Sequence, residues 1–160
     1  MKFFKTYLLP VLLVGLAVAI DQFTKFLAVR YLMPVREIVL IDGVFSLLYL
    51  ENTGMAFGLF KGGRWVLIGL TVFILGLLVY YYITMLKTRW IKVYRVLFLF
   101  IIGGALGNFA DRLWRSFVVD FFYFKLINFP VFNMADVFLV VSVIVLIVMT
   151  IFAKDGRESA

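Results

Sequence analysis

Cysteine and histidine are both missing from this 160-residue chain. Without cysteine there is no disulfide, no thiol nucleophile and no thiolate-ligated metal site. The usual clue to redox compartment goes with it. Without histidine, Ser-His and Cys-His catalysis are excluded, and so is an HExxH zinc site. Charge is sparse as well: Asp, Glu, Lys and Arg make up 16% of the residues. The catalytic chemistries left are those of carboxylates and of a Ser-Lys pair. Ser-Lys is the weaker of the two. Ser142 lies inside an apolar run that holds no lysine, and Ser116 has no obvious partner.

Apolar residues fill the space that charge leaves. They make up 65% of the chain, and the mean hydropathy is +1.10, beyond the share of a soluble domain. Four apolar runs, about 6–29, 65–85, 92–112 and 134–153, each approach the ~20 residues that cross a hydrocarbon core. The chain is expected to be a single membrane-embedded domain over 1–160, mainly α, with four transmembrane helices. The first run follows Lys2 and Lys5 but continues through Asp21, Gln22 and Lys25 without a small-residue cleavage site. It reads as a retained helix rather than a cleaved signal peptide. Residues 155–160 read as a frayed tail. No internal repeat, low-complexity stretch or interdomain linker stands out.

A net charge of +7 in so apolar a chain points to basic loops beside anionic headgroups, not to nucleic acid. Lys2 and Lys5 precede the first run. Lys87, Arg89, Lys92 and Arg95 fill the loop between the second and third, and Lys154 and Arg157 follow the fourth. With four spans these regions share one side, and the positive-inside rule makes that side, with both termini, cytoplasmic. The opposite side holds the segment 31–60. There Ile38–Ile41 and Val44–Leu50 flank Asp42-Gly43, the signal of a β-hairpin. These strands are too apolar to stand bare in water. A small extracytoplasmic sheet resting on the membrane surface is expected.

Two aspartates, Asp120 and Asp136, fall near the outer ends of membrane helices on this reading. A carboxylate at membrane depth is costly unless partnered, and so marks function by default. Two that meet in space suggest a pair sharing one proton. Asp120 lies in an apolar Val-Val-Asp-Phe setting that disfavours its charged form. Asp136 falls in the first turn of the fourth helix, where the helix dipole favours a negative group. Two unrelated surface aspartates remain the plain alternative. Asn133, three residues before Asp136, reads as an N-cap. Gly103 and Gly107 share one helix face, the spacing of close helix packing. Asn108, Asp111 and Arg112 cluster at the end of that helix. They read either as an Arg112–Asp111 ion pair or as support for the carboxylates and for substrate carbonyls. Asp21 and Lys25 read as an i, i+4 pair near the outer interface, and Glu51–Gly58 as a polar turn.

These residues form five blocks in order. They are Asp21-Gln22-Phe23-Thr24-Lys25, Asn52-Thr53-Gly54-Met55-Ala56-Phe57-Gly58, Gly104 to Arg112, Val118-Val119-Asp120-Phe121, and Phe129 to Asp136. Over nearly its full length the chain resembles the bacterial lipoprotein signal peptidases, the signal peptidase II family. The resemblance implies an aspartic endopeptidase of the bacterial inner membrane that needs no metal or cofactor. Its substrates would be diacylglyceryl-modified prolipoproteins, cut just before the lipidated lipobox cysteine. Asp120 and Asp136 would be the catalytic pair. Asn52, Gly54, Asn108, Arg112 and Asn133 would bind substrate or support the pair. Asp21, Lys25, Asp111, Gly104, Gly107 and Ala135 would be scaffold beside it. Membrane phospholipid and the peptide antibiotic globomycin would be further partners, and a monomer is expected. A proton- or cation-coupled transporter using Asp21, Asp111, Asp120 and Asp136 is the competing reading, although such proteins often show a repeat.

Overall fold

Hydropathy dictates the frame. The computed structural model describes residues 8–54, 62–84 and 91–158. Among the described residues, four helices are long and apolar enough to cross a membrane: α1 (Leu9–Leu27), α2 (Arg64–Thr84), α3 (Ile91–Trp114) and α4 (Met134–Glu158). α1 runs on through a π-helical turn at Ala28–Leu32. Within a bilayer each span must satisfy its own backbone, which only a continuous helix does alone. Their outer surfaces are apolar in keeping with lipid: Val11, Phe23, Phe73, Ile83 and Ile144 are all exposed. α4 continues to Glu158, past the end expected at Ala153 and through part of the expected tail. The expected positions Thr6, Met85, Lys2, Lys5, Lys87 and Arg89, and the Met55–Gly58 end of the second block, lie outside the described residues.

α3 is the central helix and packs on α1, α2 and α4. Its small residues permit this. A Cβ on Gly103 would lie 2.6 Å from the Ala17 Cβ of α1. One on Gly104 would lie 2.5 Å from the Ala135 carbonyl oxygen of α4, and one on Gly107 would strike the Asp21 carboxylate. Gly103 and Gly107 thus serve one interface, as their spacing predicts.

At one end of the bundle sits an antiparallel sheet of β1 (Glu37–Ile41), β2 (Phe45–Asn52) and β3 (Val118–Phe124), in that order. The hairpin forms around Asp42-Gly43 as expected, with Gly43 at φ 67° and the Val44 N–H donating to Ile41 O at 3.0 Å. β3 corrects the sequence reading, which puts Asp120 at a helix end. Asp120 stands in a strand instead. The run Val118–Phe124 is β-branched and aromatic, and its partner β2 lies far back in the chain. Such pairing answers to tertiary context more than to local propensity. Ala28, Leu32, Tyr49, Val119 and Phe121 form the core that seats the sheet on α1.

Candidate active site

Asp120 reaches its position through strand register. Its partner in β2 is Leu50, and Asn52 pairs with Val118. Between Leu47 and Leu50, β2 advances three residues while β3 advances two, from Phe122 to Asp120. This bulge adjusts the strand beside the carboxylate, a common device at functional sites. On its other side β3 bridges to Phe132: the Phe121 and Phe122 N–H groups donate to Phe132 O, at 3.0 and 2.8 Å. That bridge carries the chain straight into Asn133 and the start of α4.

Asn133 caps α4 reciprocally. Its Oδ1 accepts from the Asp136 N–H at 3.1 Å, and its own N–H donates to Asp136 Oδ2 at 3.1 Å. This is capping-box geometry with an aspartate in the acidic place. The cap expected of Asn133 is therefore present, and it holds Asp136 as well. The side-chain NH2 of Asn133 donates to Asp120 Oδ1 at 2.6 Å and to Asn108 Oδ1 at 3.1 Å. Asn108, from α3, donates to Asp136 Oδ1 at 2.9 Å. Asn52, from β2, donates to Asp120 Oδ2 at 2.8 Å.

Each asparagine is oriented by a neighbour that can only donate. Lys25 Nζ donates to Asn108 Oδ1 at 2.8 Å, the Asp136 N–H to Asn133, and the Gly54 N–H to Asn52 Oδ1 at 3.0 Å. With its carbonyl occupied, each amide turns its NH2 toward a carboxylate. Asp120 and Asp136 thus each receive two N–H donors. Asp120 is buried, and loss of water around it pushes its carboxyl up to about 7. The Asp136 charge adds to that rise, while Asn52, Asn133 and Lys25 oppose it.

Behind the pair lies a buried ionic cluster. Lys25 Nζ meets Asp21 Oδ2 at 2.8 Å and Asp111 Oδ2 at 3.0 Å, with all three side chains fully buried. Asp21 also accepts the Ala135 N–H of α4 at 2.9 Å, and Asp111 accepts the Val119 N–H of β3 at 3.2 Å. The Asp21–Lys25 pair expected from its spacing exists, and it is buried inside the bundle. Asp111 pairs with Lys25 and Arg115, not with Arg112. Arg112 instead donates to Gly54 O at 3.2 Å and reaches the Asn108 carbonyl at 3.4 Å. Gln22 donates to the Gly107 carbonyl and to Asp21 and Asp111, and Arg115 donates to Asp111; nothing in the sequence pattern marks Gln22 as a site residue. The i, i+4 spacing of Asp111 and Arg115 was the available signal.

Both carboxyls open on one groove of about 900 Å³. Asn52, Thr53 and Gly54 form its polar end. It continues between Leu67, Leu70 and Ile74 of α2 and Val137, Val140 and Val141 of α4. The walls are almost wholly apolar, with Arg112 at the polar end. Every residue expected at the site gathers here or directly behind it. Among the described residues no group of three Asp, Glu, His or Cys is placed to hold a metal ion.

The chain matches the family model for signal peptidase (SPase) II over residues 13–152. It is 41% identical over 149 residues to a lipoprotein signal peptidase of Caldanaerobacter subterraneus, covering 92% of this chain and 99% of that one. To that of Clostridioides difficile it is 38% identical over 151 residues, covering 92% and 98%. A bacterial membrane enzyme solved by the in meso method at 2.3 Å shares the fold, with a TM-score of 0.79 and 27% identity over 97% of this chain and 93% of that one. With four spanning helices and a polar site at one end of them, this multi-pass membrane protein belongs to the signal peptidase II family.

Proposed function

We propose that the protein is an aspartic endopeptidase that removes the signal peptide from diacylglyceryl-modified prolipoproteins, cutting just before the lipid-bearing cysteine. The observation that carries this is the pair Asp120 and Asp136: two carboxyls, one buried and one half-buried, from a strand and a helix start, sharing Asn133 and opening on one apolar groove. Like charges so close hold one proton between them. The ionised carboxylate takes a proton from water as the water attacks the scissile carbonyl. The protonated partner donates to the carbonyl oxygen and supports the developing oxyanion, and then the proton passes to the leaving amine. The apparent pKa values belong to the pair.

Asn52, Asn108 and Asn133 hold the carboxyls, and Arg112 and Gly54 meet the substrate backbone at the polar end. Asp21, Lys25, Asp111, Gly104, Gly107 and Ala135 are the frame. The apolar walls suit acyl chains and an apolar signal segment arriving from lipid. Globomycin would compete for the same groove. The site faces the outer leaflet of the bacterial inner membrane, both termini are cytoplasmic, and one copy of the chain suffices. The exposed Ile38, Leu40 and Ile41 of β1 suit a sheet seated on that membrane surface.

The test uses purified protein in detergent with a lipidated prolipoprotein and its unlipidated twin. Cleavage of the lipidated form alone, lost in Asp120→Asn, is the expected result. Equal cutting of both would keep the protease and reject the lipid requirement. No cutting by folded protein would overturn the reading.

A further inference from the structure

Arg64 opens α2, where a helix N-terminus disfavours a cation. Its guanidinium lies over the Trp65 ring of its own helix, 5.0 Å from the centroid, and reaches across to α3. Nε donates to Arg112 O at 2.7 Å, and an Nη donates to Leu113 O at 2.6 Å. These are carbonyls of the last turn of α3, which have no partner within the helix and carry its negative end. One residue therefore ties the start of α2 to the end of α3. A second link runs the other way, from the Arg112 guanidinium to Gly54 O. Gly54 in turn fixes Asn52 through its N–H, and Asn52 fixes Asp120. The stretch leaving β2 and the stretch entering α2 also meet directly, where the Gly62 N–H donates to Thr53 O at 3.3 Å. Both therefore hang on the final turn of α3, one through Arg112 and one through Arg64.

The consequence concerns the groove. Its α2 wall is Leu67, Leu70, Thr71 and Ile74, beginning one turn after Arg64. α2 has little else to hold it here: Leu67 is its one buried residue, and Trp65 and Val66 are exposed. We propose that Arg64 is a positioning residue for the peptidase. By pinning the top of α2 to α3, it sets the width of the groove beside the carboxyl pair and the seat of Arg112. It touches no reacting atom. The proposal rests on the peptidase reading for its kinetic arm only.

The absence of cysteine allows a direct measurement. Spin labels at Val66→Cys on α2 and Val143→Cys on α4, both exposed, report the separation across the groove by electron-electron resonance. The expected result is one narrow distance distribution in the parent, broadened or shifted outward by Arg64→Ala. Arg64→Lys, which keeps a cationic donor but loses the fork, gives an intermediate width. An unchanged distribution in Arg64→Ala overturns the proposal. In the cleavage assay Arg64→Ala is expected to raise KM about tenfold with kcat within about twofold. A fall in kcat at unchanged KM means a smaller folded fraction and counts against positioning. If the parent cuts nothing the peptidase reading fails, while the distance measurement still decides the role of Arg64.

Discussion

At the scale of single residues, the carboxyl pair and the lysine behind it make opposite demands. Asp120→Asn and Asp136→Asn keep side-chain volume and remove proton traffic. Each is expected to cut the cleavage rate by about 10²–10⁴-fold, the usual worth of a positioned acid or base, with the protein still folded, as a gel-shift assay beside a detergent melt would show. Near-normal processing by either variant removes the dyad. Asp120 also makes stability depend on pH. Its ordinary value is 3.8, and burial, with the neighbouring Asp136, raises it to about 7. Between those values the folded chain holds a proton that the unfolded chain releases. The folded state is favoured at the acid end of this window, and the advantage drains away as pH rises toward 7. The parent's melting temperature should therefore fall relative to that of Asp120→Asn across this window. A constant difference would mean that Asp120 titrates normally. Cleavage should decline above about pH 7 for the same reason, because the pair then lacks its proton. Lys25 is the reverse case. Lys25→Met leaves Asp21 and Asp111 buried with Arg115 as the remaining cation against Asp111. Breaking a buried pair on one side costs about 3–5 kcal/mol, so this variant should lose stability before its kinetics can be read.

At the scale of elements, the site exists because α3 and α4 approach closely enough for Asn108 to reach Asp136. Gly104 permits that approach, one turn before Asn108. Gly104→Ala places a Cβ 2.5 Å from the Ala135 carbonyl oxygen, a backbone atom that cannot rotate away. Overpacking of this kind costs about 1–3 kcal/mol. It should also lower activity by moving the start of α4. Gly69→Ala in α2 is the control, since a Cβ there meets nothing within 4 Å. It should be neutral or stabilising by about 0.4–1 kcal/mol. Detergent melts of the two variants should diverge; equal melts would mean that the α3–α4 crossing relaxes freely. Elements also explain what the sequence made legible. The four spans, the hairpin and the Gly103/Gly107 face were readable because each signal is local: an apolar length, an Asp-Gly turn, a four-residue spacing. The motif asparagines and carboxylates were readable because polar groups stand out in an apolar chain. β3 was not, since a strand is defined by a partner, and β2 lies far upstream. The fate of Asp111 was hidden for a related reason. Arg112 is its neighbour in sequence, but helix geometry turns Arg112 toward Gly54 and leaves Asp111 to Lys25 of α1.

At the scale of the whole molecule, the two ends of the bundle differ in kind. One end gathers the C-terminal ends of α1 and α3, the N-terminal ends of α2 and α4, the sheet and the carboxyl pair. The other holds the start of α3, with Lys92 and Arg95, and the end of α4, with Lys154 and Arg157. The carboxyls therefore lie toward one face rather than spread along a path across the bilayer, which is what a transporter relay would require. Charge then sets direction. On the proposed orientation, the cluster of Lys and Arg close to span ends is retained on the cytoplasmic side, which would send the site to the outer side, where a lipid-anchored substrate in the outer leaflet could enter the groove laterally. Since the chain has no cysteine, single introduced thiols report this cleanly. Asp42→Cys, at the hairpin turn, should react with a membrane-impermeant maleimide added to intact spheroplasts. Lys92→Cys, at the start of α3, should react only after the membrane is opened. The converse pattern would invert the molecule and put the carboxyl pair on the cytoplasmic side, out of reach of a substrate lipidated in the outer leaflet. Labelling of both sites without permeabilisation would break the four-span arrangement itself, because Asp42 and Lys92 would then share a side that an odd number of crossings between them forbids.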